Sequence, residues 1–499
     1  MNRNNHSRVL AIGLDAAEPA LVRHLIERDE MPALKSLLAA GRWIRIHSPA
    51  YLGSGAVWPT FATGTEPSVH GVYGEWCWEP ETMDVNRYDG EGVSPFWKPL
   101  SENGATLGVL DPPLMRSTGL SNGFEIIEWG AHDQVYDRML AGPGRIADLL
   151  AKQIEPHPFA VNRHDNASSD HPEELEKLSS SCQRGLSLRG NLAATLLTDT
   201  RPDFALIVFP EIHHAAHYLW TREMFQGGPG GNGVKPSLKK LFREVDRQIG
   251  ALIQTAGSEY TVMIFSLHGM RPSAGVPVFL QPLLCEAGFA RMAPWKTQSW
   301  PDRARSLMAA AKRQMPASIK NFYYKTVPQN ATKYLARPTM LPVFDWEHTR
   351  AFSLPSDQHG WVRINLKDRE RAGIVRPENY EDTCREVEMF LRHLTAEDGR
   401  PLVERTVRTA NEVESAMCSK LPDLVVHWAD AAFVAESKIT QSRVKVELDG
   451  QKFSGQHAVE GFCILGRKDP SDHDELAVSE LRSLVTRILA ANGDQSTDQ

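Results

Sequence analysis

The sequence predicts an α/β protein of three layers: a mostly parallel central sheet, helices on both of its faces, and a cap-like insertion. Two observations predict it. Short runs rich in β-branched and other apolar residues recur without polar alternation, as strands buried on both faces require. Between several of them, apolar residues repeat at the 3.6-residue period of amphipathic helices, and such alternation leads to parallel strands joined by covering helices.

In chain order, the expected strands are Val9 to Asp15, Thr106 to Asp111, Phe204 to Phe209, Tyr260 to Ser266, Leu424 to Trp428 and Phe462 to Leu465. One helix is expected from Leu21 to Leu38. Another is marked by Leu238, Leu241, Phe242, Val245, Ile249, Leu252 and Ile253. The segment 272–345 breaks the alternation, is richer in Pro, Lys and Arg, and holds a helix opened by Ser299, Trp300, Pro301 and Asp302 and closed by Pro316. It reads as an insertion in a core made of 1–271 and 346–499. Its basic stretch, Arg303 to Lys325, has two readings, a solvated helix face or an attraction for an anionic substrate or lipid surface.

Composition excludes several classes. With 41% hydrophobic and 23% charged residues, a chain of 499 can bury a sizeable core, which argues against disorder. A net charge of -7 argues against a nucleic-acid-coating protein, which needs surplus Lys and Arg on its binding face. The six cysteines, Cys77, Cys182, Cys285, Cys384, Cys418 and Cys463, form no C-x-x-C pair and point to a reducing compartment. The polar start runs into the Val9 to Leu14 strand with no signal-like segment, and no stretch reaches the roughly 18 to 20 apolar residues that span a bilayer. A cytoplasmic protein acting on a small molecule, with no transmembrane segment and no nucleic-acid polymer as partner, is the expectation.

In a parallel sheet, functional groups collect where strands end at their carboxyl edge. Asp15 ends the first strand, Glu211 to His217 follow the Phe204 strand, and His268 follows the Tyr260 strand. His213 and His217 stand at i, i+4, which places two imidazoles on one helix face; alone, they read equally as metal ligands or as core or surface histidines. Ser54, between Gly53 and Gly55, reads as an exposed nucleophile or as a simple turn. His457 lies in Ser454-Gly455-Gln456-His457 before the last long strand.

Together these segments resemble the alkaline phosphatase superfamily, in particular its type I phosphodiesterase and nucleotide pyrophosphatase branch. The resemblance is carried, in order, by IGLDAAEP (12–19), MPALKSLLAAG (31–41), SGAVWPTFATGTEPSVHGV (54–72), FALIVFPEIHHAAHYLW (204–220), FSLHGM (265–270), RINLKDRERAGIV (363–375), PDLVVHW (422–428) and SGQHAVEGF (454–462). It implies that Asp15, Ser54 and His268 gather at one metal and His213, His217 and His457 at another, with Ser54 as nucleophile. Two departures follow. His213 stands where the family usually has aspartate, and Leu267-His268-Gly269 where it usually has Asp-His-Gly.

The first change leaves a three-histidine zinc site; the second removes a carboxylate from the metal beside Ser54. The resemblance therefore implies a phosphate-ester hydrolase with one zinc firmly held, a second site weak or empty, and manganese as an alternative ion. Ser54 would attack phosphorus, with His268, oriented by Asp15, as its base. Glu211 is read as a packing or hydrogen-bonding residue rather than a replacement ligand. The alternatives are a phosphoryl transferase and a degenerate member that binds its ligand without turning it over.

Overall fold

The computed structural model describes residues 8–136, 138–161, 171–220, 235–273, 278–315, 319, 327, 335–356, 358–429, 432, 439–440, 454–467 and 473–490. The chain divides into two compact units. The first comprises 1–66, 89–273 and 452–499; the second comprises 67–88 and 274–451.

The first unit is built on a nine-stranded sheet. Its middle is parallel: Tyr260–Ser266, Arg8–Leu14, Phe204–Phe209, Leu107–Leu110 and Gly123–Ile127 lie side by side in that order. Beyond Tyr260–Ser266 come Glu460–Leu465, Arg42–His47 and Glu475–Ala477, and Leu140–Gly142 closes the other edge. The apolar runs are continuous because both faces are covered. Leu10, Ile12 and Leu14 join a core with residues of the Pro172–Thr200 and Pro236–Ala256 helices, while Val9 and Ala11 face the opposite way. On that second face, Phe61 stacks on Phe265 at 5.2 Å between centroids, and Phe96 meets Phe204 at 5.6 Å. Burying side chains of this size stabilises by about 1.5–3 kcal/mol each. The three-layer α/β architecture is thus the one expected.

The expected Leu21 to Leu38 helix is two helices, Pro19–Glu27 and Pro32–Ala40. Pro32 disfavours helical backbone at the residue before it, and Asp29 takes a left-handed φ of 61°, so the chain turns where the apolar period runs on.

The second unit has its own antiparallel sheet, ordered Ala351–Leu354, Gly360–Ile364, Leu424–Trp428 and Val403–Arg408. Leu424–Trp428 is therefore a strand, as expected, but of this sheet and not of the parallel one. An apolar run says that a strand is buried, not which sheet buries it. The second unit thus takes in 274–451, whereas the expected core includes 346–499. The helix expected after Ser299 is Trp300–Gln314, with the Ser299 side chain accepting from the Asp302 amide. Part of the Arg303 to Lys325 stretch lies outside the described residues. Among the described residues, no helix is long and apolar enough to cross a membrane.

Candidate active site

Three neighbouring parallel strands deliver the site from one edge. Leu14 pairs with Phe209 and Gly13 with Phe265, so Asp15, the Glu211–Tyr218 helix and His268 emerge side by side. Only Pro210 separates strand from helix on the Phe204 arm. After Asp15 the chain turns sharply: Ala16 has a φ of 56° and the Ala17 amide donates to the Leu14 carbonyl. His457 arrives from a different part of the chain, on a two-stranded ribbon in which Gly455–Ala458 pairs with Gly269–Pro272 and His457 lies opposite Met270.

Three imidazoles converge. His213 Nε2 lies 3.0 Å from His217 Nε2 and 2.9 Å from His457 Nε2. The tautomers of two of them are set from behind. His213 Nδ1–H donates to Asp15 Oδ2 at 2.7 Å, and His217 Nδ1–H donates to the Gly455 carbonyl at 3.3 Å. The Nε2 of His213 and that of His217 therefore each turn a lone pair inward. Burial, reinforced by the neighbouring histidines, holds His213 well below the usual histidine range and His217 at about 3, so both are neutral near pH 7.

Facing lone pairs this close repel unless a cation lies between them. Nitrogens sharing one tetrahedral zinc at the usual bond length stand roughly 3.3 Å apart, close to what these rings adopt. The donor set thus fits a zinc ion.

Asp15 is buried and doubly engaged. Its Oδ1 accepts the indole N–H of Trp58 at 3.0 Å, and burial raises its carboxyl to about 7. Its link to His268 is long, 3.9 Å from Oδ1 to Nε2, beyond hydrogen-bond reach. His268 is held instead by Nδ1–H donation to the Gly269 carbonyl at 3.0 Å, contrary to the expectation that Asp15 orients it. The two expected groups, Asp15 with Ser54 and His268, and the three other histidines, are therefore joined through the Asp15–His213 bond. Ser54 stands half-buried at the head of a 3-10 turn that leads into the Val57–Thr63 helix, the helix that carries Trp58.

Sequence reasoning missed His132. Its ring stacks on His213 at 4.3 Å and 12° and approaches His217, and a ring nitrogen of each lies within 4.8 Å of the others. Nearly parallel stacked rings cannot both aim an in-plane lone pair at one ion, so His132 is a wall of the site rather than a fourth ligand. The signal available was a His-Asp pair just after a buried strand, at the same edge as the other site residues; His132 Nδ1 lies 3.1 Å from Asp133. Glu211 has the packing role expected. It is fully buried and bonds Arg189 Nε and His157 Nε2, each at 2.8 Å. His214 packs against Phe159, and His70 Nδ1 accepts the Val72 amide within a turn.

A family model described as type I phosphodiesterase / nucleotide pyrophosphatase matches residues 9–459. No curated protein sequence matches significantly. Among solved structures, phosphonoacetate hydrolase from Sinorhizobium meliloti 1021 with phosphonoacetate is similar at 14% identity and a TM-score of 0.51, over 97% of this chain and 96% of that one. The same enzyme with phosphonoformate gives 12% and 0.50, again over 97% and 96%. Human ectonucleotide pyrophosphatase / phosphodiesterase 5 gives 10% and 0.46, over 97% and 94%. At such identities the structural likeness is one of fold, and the family match supplies the rest. The chain belongs to the type I phosphodiesterase / nucleotide pyrophosphatase family, phosphoric-ester hydrolases of the alkaline phosphatase superfamily.

Proposed function

We propose that this protein hydrolyses small-molecule phosphate esters through Ser54, with a single zinc ion, or manganese in its place, held by His213, His217 and His457. The observation that carries the reading is the convergence of the three Nε2 atoms, with the tautomers of His213 and His217 fixed from outside. A bound zinc supplies Lewis acidity towards a phosphoryl or leaving oxygen.

The chain's own residues do the rest. Asp15 fixes the tautomer of His213, and Trp58 fixes Asp15. With both carboxylate oxygens engaged and Leu267 contributing no ligand, a one-ion site is favoured over the two-ion arrangement. His268, its Nδ1–H tied to Gly269, keeps Nε2 as its basic nitrogen and takes the Ser54 proton. The Ser54 Oγ–P bond forms as the ester P–O bond breaks, and the proton on His268 passes to the departing alkoxide, which leaves as the alcohol. Water, giving a proton to His268, then cleaves the phosphoserine, and that proton restores the Ser54 hydroxyl as phosphate, or a phosphate monoester from a diester, is released.

The test is turnover of p-nitrophenyl phosphate, bis-p-nitrophenyl phosphate and a thymidine 5'-phosphodiester, with zinc and with manganese, for wild type, Ser54→Ala and His457→Ala. Metal-dependent turnover of one ester class, lost in both variants, is expected. Turnover that survives Ser54→Ala would remove the serine mechanism. Phosphoryl transfer to an added alcohol in preference to water would make the protein a transferase.

A further inference from the structure

The Trp300–Gln314 helix of the second unit is amphipathic the wrong way round for a soluble protein. Its polar side is anchored to the protein: Arg305 Nη2 donates to both Asp84 oxygens at 3.1 Å, Arg305 Nε to the Pro338 carbonyl at 3.2 Å, and Ser306 to Gln298 at 3.0 Å. Lys312 reaches Thr339 at 3.5 Å from the flank between this side and the opposite one. The apolar stripe, Trp300, Ala304, Leu307, Met308 and Ala311, follows helical spacing on the side away from these contacts. Trp300 is 77% exposed, Leu307 56% and Met308 45%, and Trp295, just before the helix, is 48% exposed. A surface helix normally turns such a stripe towards the core.

Charge identifies what the stripe meets. Residues 291–312 hold five cations against Asp302 alone; Arg291 and Arg305 face the carboxylates of Asp345 and Asp84, which leaves Lys296, Arg303 and Lys312 as the cations of this surface. Arg303 and Lys312 sit on either shoulder of the apolar stripe. The Arg303 guanidinium lies 5.7 Å from the centre of the Trp295 ring, placing a cation beside an exposed indole. A helix of 15 residues interrupted by charges is too short to cross a bilayer and suited to lying in its surface. Apolar and aromatic side chains then enter the acyl boundary while the flanking cations meet lipid phosphates.

We infer that the Trp300–Gln314 helix docks this protein on an anionic lipid surface. The inference is independent of the proposed chemistry. It is tested by sedimentation of the full chain with vesicles of pure phosphatidylcholine and of equimolar phosphatidylcholine and phosphatidylglycerol. The anionic vesicles should bind at least about tenfold more strongly. Leu307→Glu and Trp300→Ser should each abolish that preference without changing the melting temperature or turnover of a soluble ester, and Leu307→Ala should fall between. Equal or absent binding to the two vesicle types, or anionic binding unaffected by Leu307→Glu, would overturn the inference. Self-association that Leu307→Glu removes, with no vesicle binding, would overturn it in favour of a second copy of the chain.

Discussion

Asp15 and His213 share a hydrogen bond of 2.7 Å, from Nδ1–H to Oδ2, and the other Asp15 oxygen takes the Trp58 indole proton. The carboxylate thus aims one imidazole at two others. Asp15→Asn keeps the shape but weakens the acceptor, and should lower zinc affinity by about 10- to 100-fold. Competition with a chromophoric chelator measures it. Trp58→Phe, which frees one Asp15 oxygen without touching His213, should show a smaller loss.

Beneath the histidine helix lies a fully buried ion network. Arg189 bridges Asp111 at 3.0 Å and Glu211 at 2.8 Å, and His157 adds a second bond to Glu211. Asp111 also accepts the Trp129 and Gly130 amides, so the network joins the histidine helix to the loop that carries His132. Arg189→Met would strand two buried carboxylates and should cost about 3–5 kcal/mol in urea unfolding. Adding Glu211→Gln should recover part of the loss, because one of the stranded charges is gone.

Gly455 permits the ribbon to touch the histidine helix. A Cβ there would fall 2.0 Å from the Ala216 carbonyl oxygen, and the Gly455 carbonyl is the partner of His217. Gly455→Ala must push the ribbon away, displacing His457 and loosening His217 together. A loss of about 1–3 kcal/mol of stability is expected, accompanied by weaker zinc binding. Full stability with unchanged affinity would show that the ribbon can shift at no cost to the site.

Glu18 supplies a pH-dependent term of its own. Burial raises its carboxyl from 4.5 to about 7, despite hydrogen bonds from the Ala20 and Met270 amides. Below the unfolded value it is protonated in both states. Between the two values the unfolded chain releases a proton that the folded protein retains, so stability falls as pH rises, and above the folded value the full cost persists. Glu18→Gln removes this term. Its stability relative to wild type should rise by on the order of 2–3 kcal/mol between about pH 4 and 8, read from urea midpoints.

Much of this was legible in the chain because the signals are local. Asp15, His213 and His268 follow buried strands directly, and His213 and His217 share a helix face through spacing alone. The partnership of Asp15 was not legible. An aspartate at position 213 would repel a second carboxylate, whereas the histidine offers it an N–H, and the bond that results draws Asp15 away from His268. His132 was missed because its loop is placed by amide bonds to Asp111, a long-range relation that no periodicity reports. The Leu21 to Leu38 helix failed for a simpler reason: apolar spacing continues across Pro32 while the backbone does not.

The central claim is a single-ion site built from His213, His217 and His457 with Asp15 behind it. Elemental analysis of zinc-loaded protein after exhaustive dialysis tests it most directly. One tightly bound zinc per chain, lost in His457→Ala and retained in Ser54→Ala, is the predicted result. Two tightly bound ions per chain, one of them lost in Ser54→Ala, would contradict it and place Asp15 among the ligands.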